Sequence, residues 1–229
     1  MSWRIIVISK RAKLDYQLGY INESEISEWI IEAPELFSKY LETLLNQTKG
    51  FDGQFVLSNK NKELDISKNI EIILNPLTID INDKKILGKI YGELHTLAND
   101  ETMYLKTREV MGILQQYFYE LEQNYNTTLV IEGDIELKEL LKAMNVRIEE
   151  QSLDYFERFI QYIKLQAEVL KKKLIILVNI RSYLSHKQLE QLFQYTKYNE
   201  IPILMIESIQ RDFTNETNKF IIDIDKCEI

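Results

Sequence analysis

The sequence predicts an α/β fold with a separate helical part. Three observations carry that prediction. Leu174 to Val178 (LIILV) and Ile203 to Ile206 (ILMI) are continuous apolar runs joined by a helical segment. Runs of that kind suit strands buried on both faces of a parallel sheet. The first 80 residues hold further short apolar runs, and the stretch from Asn82 to Lys172 is dominated by helical periodicity.

Taken in order, Trp3 to Ser9 reads as a strand and Trp29-Ile30-Ile31 as a second. Pro34 stands where a first-turn proline belongs, and Leu36, Phe37, Tyr40, Leu41 and Leu44 follow at helical spacing until Gly50. Phe55 to Leu57 and Ile70 to Leu74 read as strands flanking the polar turn Ser58 to Lys62. Asn82 or Asp83 caps a helix to about Leu97, and a second runs from about Thr102 to Asn124. A short helix from Ile135 to Met144, capped by Asp134, precedes a long one from about Ser152 to Lys172. Two of these helices carry heptad-like seams. One is Met103, Thr107, Val110, Leu114, Tyr117 and Leu121; the other is Leu153, Phe156, Ile160, Ile163, Ala167 and Leu170. Each seam must be covered, either within one bundle or by a helical hairpin or second copy. The strand Leu174 to Val178, a helix from about Ser185 to Tyr198, the strand Ile203 to Ile206 and a last strand Phe220 to Ile224 complete a right-handed βαβ pattern.

Composition narrows the function. With 229 residues, 45% hydrophobic and 28% charged, the chain is long enough for one large or two small domains and is not a disordered one. No apolar run reaches the roughly 18 residues of a membrane span. The opening Met1-Ser2-Trp3-Arg4 lacks the apolar stretch of a secretory leader, so the expected location is the cytoplasm. A single cysteine, Cys227, excludes a disulfide framework. With only His95 and His186, a Ser-His-Asp or Cys-His enzyme has little to work with. Gly88-Lys89 is followed by Ile90 inside a helical pattern, so it is no Walker loop, and no G-x-G-x-x-G occurs. The strand Ile175 to Asn179 ends in Asn where a magnesium-binding Asp would stand. The sheet could thus be that of a P-loop-like fold without its chemistry.

The net charge of −8 hides a segregation. Glu120 to Glu157 holds ten acids against three bases, whereas Lys164 to Lys187 holds six bases against the single acid Glu168. Segregated charge permits a local field opposite in sign to the total. Lys171-Lys172-Lys173 closes a helix, where lysines either complement the helix dipole or touch phosphate. With Arg181 and Lys187 they form the most basic stretch of the chain; Lys60, Lys62 and Lys68 in the strand-rich part are the alternative. Glu132, Asp134 and Glu136 alternate around Gly133. Such acids either begin a helix favourably or supply oxygen ligands to a hard cation.

Lys171 to Asn179 (KKKLIILVN), Tyr183-Leu184-Ser185 before a helix and Ile203 to Glu207 (ILMIE) resemble the C-terminal half of the Csn-two family of CRISPR-associated proteins. Leu137 to Gln151, the helix through Phe156 and Ile160, Lys68 to Asp80 and Trp29 to Leu41 are similar to the same family, so the resemblance spans roughly residues 25–225. Residues 3 to about 19 depart from it and are closer to the first strand of the Cas-one integrase. The resemblance implies a P-loop-like (RecA-like) α/β head without a Walker motif, from residues 1–81 and 173–229, and an α-helical leg from residues 82–172. It implies a homotetrameric ring that binds linear double-stranded DNA at its ends without catalysis. That activity belongs to spacer acquisition in antiviral defence, beside the CRISPR integration proteins and the effector nuclease. It also implies structural Ca2+, for which Glu132, Asp134 and Glu136 are the best-matching acids. Two other readings stay open from the residues themselves: a metal-dependent nuclease, and a structural adaptor of the integration complex without DNA contact.

Overall fold

The apolar run LIILV has no polar face to offer solvent, and the chain buries it completely. A computed structural model describes residues 2–7, 20–22, 26–59, 62–131, 135–211 and 217–228. In it Leu174–Val178 is a central strand whose five residues are all buried.

Two sheets and seven α-helices are present among the described residues. In chain order the strands are β1 (Ser2–Val7), β2 (Tyr20–Asn22), β3 (Ile26–Ile31), β4 (Phe55–Asn59), β5 (Lys62–Leu64), β6 (Ile70–Ile73), β7 (Leu174–Val178), β8 (Ile203–Glu207) and β9 (Thr217–Ile222). The helices are α1 (Pro34–Thr48), α2 (Ile66–Asn69), α3 (Lys84–Ala98), α4 (Tyr104–Gln123), α5 (Leu137–Ala143), α6 (Tyr155–Glu168) and α7 (His186–Tyr198). Strands β6-β7-β8-β3-β9 form a wholly parallel sheet, and β2-β1-β4-β5 an antiparallel one. No helix among the described residues is long and apolar enough to cross a membrane.

The chain divides into two compact units, Met1–Asp80 with Ser152–Ile229, and Ile81–Gln151. In the first, side chains of the central strands alternate between two cores, as the pleat requires. Leu174, Ile176, Val178, Leu204 and Ile206 join Trp29, Tyr40 and Leu44 on one side. Ile175, Leu177, Ile203 and Met205 join Phe159, Ile163, Leu189 and Phe193 on the other. The seam of α6 is thereby covered by its own sheet. Asp154 starts that helix in a reciprocal cap, accepting from Glu157 N at 2.8 Å while Glu157 Oε2 accepts from Asp154 N at 3.0 Å. The helical leg expected over residues 82–172 includes α6, which here lies in the first unit; the boundary between the units falls at Gln151 and Ser152.

One connection differs from the sequence reading. Ile70 to Leu74 was expected to flank the same turn as Phe55 to Leu57. Instead β4 pairs antiparallel with the three-residue β5, Asn59 facing Lys62. Asp65 Oδ1 then accepts from Ser67 N at 2.9 Å and caps the single turn α2, which sends β6 into the other sheet beside β7. Lys62-Glu63-Leu64 is too short and polar to announce a strand in the sequence. The last strand also begins earlier than expected, at Thr217.

In the second unit, Asn82 holds the backbone of Ile148 at both ends: Nδ2 donates to Ile148 O at 3.1 Å and Oδ1 accepts from Ile148 N at 2.8 Å. The Tyr91 hydroxyl donates to Val146 O at 2.6 Å. The segment after α5 is thus tied to α3 without forming a strand. Helix α4 has no buried residue, and its seam residues Val110, Tyr117 and Leu121 are exposed.

At the end of α1, Gly50 takes φ +91°, a value that favours glycine, and its N–H returns to Gln47 O. Gln47 is buried and grips the start of β4: Nε2 donates to Phe55 O at 2.8 Å and Oε1 accepts from Phe55 N at 3.1 Å. A Cβ at Gly53 would lie 2.3–2.4 Å from the Gln47 side chain. Gly53→Ala should therefore displace that grip and lower stability by about 1–3 kcal/mol. Urea unfolding checks this; an unchanged midpoint would show that the grip does not depend on Gly53.

Candidate nucleic-acid interface

Parallel pairing of β6 with β7 starts at Ile70 opposite Leu174. Whatever precedes both strands must therefore lie side by side, at the amino end of the sheet. Those segments are α2 with Lys68, and the link from α6 carrying Lys171, Lys172 and Lys173. The backbone joins them: Lys173 N donates to Asn69 O at 2.7 Å. Lys172 Nζ donates to Ser67 O at 3.0 Å and to Ile70 O at 2.9 Å. Two basic segments separated by a hundred residues in sequence thus form one edge.

Lys171 has φ +57°, turning the chain sharply after α6. Leu170 N returns to Leu165 O and Lys172 N to Gln166 O, which closes the helix end. Lys171 and Lys173 are exposed and Lys172 half-buried. Lys68 is 81% exposed and lies 3.5 Å from Asp65, a pair too open to neutralise it firmly. Lys62 is exposed on β5, and Lys60 lies outside the described residues.

Lys187 and Arg181 follow β7 instead of preceding it. Five residues at roughly 3.3 Å each make β7 about 17 Å long, and both residues lie past its end opposite the Lys171–Lys173 edge. Lys187 is exposed in the first turn of α7.

Arg181 does not face phosphate, contrary to the sequence expectation. Its side chain and that of Glu28 are each 1% exposed and pair bidentately, Nε to Oε1 at 2.6 Å and Nη2 to Oε2 at 3.0 Å. Thr217 Oγ1 also donates to Glu28 Oε2, at 2.8 Å. Turning Arg181 outward would strand a buried carboxylate at a cost of about 3–5 kcal/mol. A single charged hydrogen bond, worth about 1.5–3 kcal/mol, does not offset that. The sequence held a signal for this pair: Glu28 and Glu207 interrupt apolar strands, and a buried carboxylate demands a cation or a proton.

Glu207 is biased toward the protonated form. It is 2% exposed and accepts from Arg181 N at 3.2 Å. Burial pushes its carboxyl up to about 7, with the negative charge of Glu28 acting in the same direction; the Arg181 N–H and the charges of Arg181 and Arg211 act against it. Arg211 Nη1 donates to Arg181 O at 2.8 Å and completes the cluster at the carboxyl end of the sheet.

Of the expected metal ligands, Glu136 is exposed at the start of α5 and makes no side-chain cap bond. Glu132 and Asp134 lie outside the described residues. Among the described residues no three His, Cys, Asp or Glu side chains converge as a cation site, so Glu136 alone does not provide one.

A family model described as CRISPR-associated protein (Cas_Csn2) matches residues 47–226. The chain belongs to the Csn2 family. A CRISPR-associated protein Csn2 from Enterococcus faecalis is 30% identical over 138 residues, covering 59% of this chain and 62% of the relative. The match therefore spans less than two thirds of that Csn2 protein's length. Among solved structures, Stu0660 of Streptococcus thermophilus superposes with a TM-score of 0.58 at 13% identity, over 97% of this chain and 75% of that one. The cbiO1 protein of Clostridium perfringens, part of the ABC transporter complex cbiONQ, superposes with a TM-score of 0.53 at 11% identity, over 100% of this chain and 88% of that one. These two likenesses concern the fold alone.

The Glu207 carboxyl gives this Csn2 family member a pH signature. Its folded value lies above the ordinary 4.5, so the fold favours the protonated form. That stability is fully present below about 4.5 and is lost as pH rises through about 7. Glu207→Gln keeps the acceptor oxygen without the charge. It should flatten the fall in melting temperature between pH 5 and about 7. Melting curves across that window check this; parallel profiles for both proteins would contradict it.

Proposed function

We propose that this chain is a non-catalytic, double-stranded DNA end-binding ring protein of CRISPR adaptation, acting in the cytoplasm. The observation that carries the reading is the basic edge of Lys68 and Lys171–Lys173 in a chain of net charge −8. A duplex is a dense line of phosphates, and contacts to it need lysines and no base-reading elements. The absence from the sequence of a Walker loop and of a G-x-G-x-x-G pattern supports a role without nucleotide chemistry. The parallel sheet and the fold likeness to cbiO1 support a P-loop-like head that lacks its motif. The exposed apolar seam of α4 supports self-association, and the ring proposed is a homotetramer. Calcium at the acidic stretch containing Glu132, Asp134 and Glu136 is proposed as its structural ion. The CRISPR integration proteins and the effector nuclease are its proposed partners.

Threading onto DNA requires an end. Linear duplex should bind, closed circular duplex of the same sequence should bind far more weakly, and linearising the circle should restore binding. Gel-shift titration at several salt concentrations measures this. The affinity for linear DNA should fall steeply with salt, each phosphate contact adding about −0.9 to the log–log slope. Equal affinity for circle and linear forms would reject end-binding. No binding to either would leave an adaptor role in its place.

A further inference from the structure

We infer that within the basic edge the phosphate contacts are made by Lys68, Lys171 and Lys173, while Lys172 is an internal strut that makes none. This rests on the DNA-binding reading above and divides the labour within that surface. An ammonium group has three donors in a compact head. Lys172 directs its head at two backbone carbonyls, Ser67 O in α2 and Ile70 O at the start of β6. Ser67 lies in the last turn of a helix, where carbonyls lack intrahelical partners. The Lys172 head there satisfies Ser67 O. The same two bonds fasten the α2–β6 corner to the residue just before β7. Releasing Lys172 to a phosphate would expose those carbonyls and unfasten the corner.

Its neighbours are placed differently. Lys171 and Lys173 are exposed, and among the described residues neither is paired with a carboxylate. Lys171 occupies a left-handed conformation at φ +57° that glycine adopts at lower cost. A lysine at this position contributes nothing to the turn that glycine would not. Lys68 stands on the other side of the junction, 81% exposed. The three charged ends thus belong to adjoining segments, held by the Lys172 head and by the bond from Lys173 N to Asn69 O.

Two variants separate the roles. Lys68→Ser with Lys171→Gly and Lys173→Ser should keep or raise the melting temperature, because glycine suits the left-handed position. Its log affinity for linear duplex against log salt should be shallower than wild type by about 2.7, from three lost contacts at about 0.9 each. Lys172→Met should lower the melting temperature and, measured well below it, leave the slope within about 0.3 of wild type. Lys172→Arg retains donors for the two carbonyls and should restore stability where methionine fails to fold. An unchanged slope in the triple variant, with wild type binding steeply, overturns this assignment alone. A slope lowered by about one with an unchanged melting temperature in Lys172→Met overturns the strut. Wild type that binds no linear DNA at any salt overturns both this inference and the function it rests on.

Discussion

The parallel pairing of β6 with β7, Ile70 against Leu174, is the constraint on which the basic edge depends. Strand β7 is buried on both faces, so its place in the sheet is fixed by two cores at once. A shift by one residue would exchange Ile175 and Leu177 with Leu174, Ile176 and Val178 across the sheet and mismatch both. With that register held, α2 and the end of α6 have only one place to meet. The bonds from Lys172 and Lys173 to Ser67, Asn69 and Ile70 then close the junction. The surface chemistry follows from the packing of a strand that never reaches the surface.

An acidic chain reaches a polyanion only through such local concentration. At physiological ionic strength exposed charges are screened within about 8 Å, so the total of −8 matters less than the charges on one edge. Most of the acid-rich stretch Glu120–Glu157 falls in the second unit, and the lysine edge in the first. The carboxyl end of the parallel sheet is where ligands of open α/β sheets ordinarily enter. Here that end holds Arg181 with Glu28 and Glu207 in a cluster of its own. The cations after β7 are thus divided between buried Arg181, paired with Glu28, and exposed Lys187, whereas Lys68, Lys171 and Lys173 before β6 and β7 are all exposed.

Much of this architecture was legible in the sequence because burial leaves a periodic trace. The apolar runs of β7 and β8, Pro34 at the start of α1 and Asp83, one of the two caps offered for α3, read directly; the cap Asp154 did not, since the sequence placed that helix start at about Ser152. The β4–β5 hairpin did not, since a polar three-residue strand has no hydrophobic signature. The basic edge was half legible. Lys171–Lys173 and Lys68 were each visible, but as rival sites, because only a long-range register unites them. Arg181 was misassigned for the same reason: its partner Glu28 lies 153 positions earlier, and charge counted along a chain does not distinguish a surface cation from a buried one.

If the amino end of β6 and β7 is the phosphate surface, DNA must quiet the backbone there. Amide hydrogen exchange, followed with and without a short linear duplex, measures this segment by segment. The account predicts added protection in residues 66–70 and 170–174 together, and little change in 180–188 around Arg181 and Lys187. Protection confined to 180–188, or binding that leaves both basic segments unchanged, would contradict it.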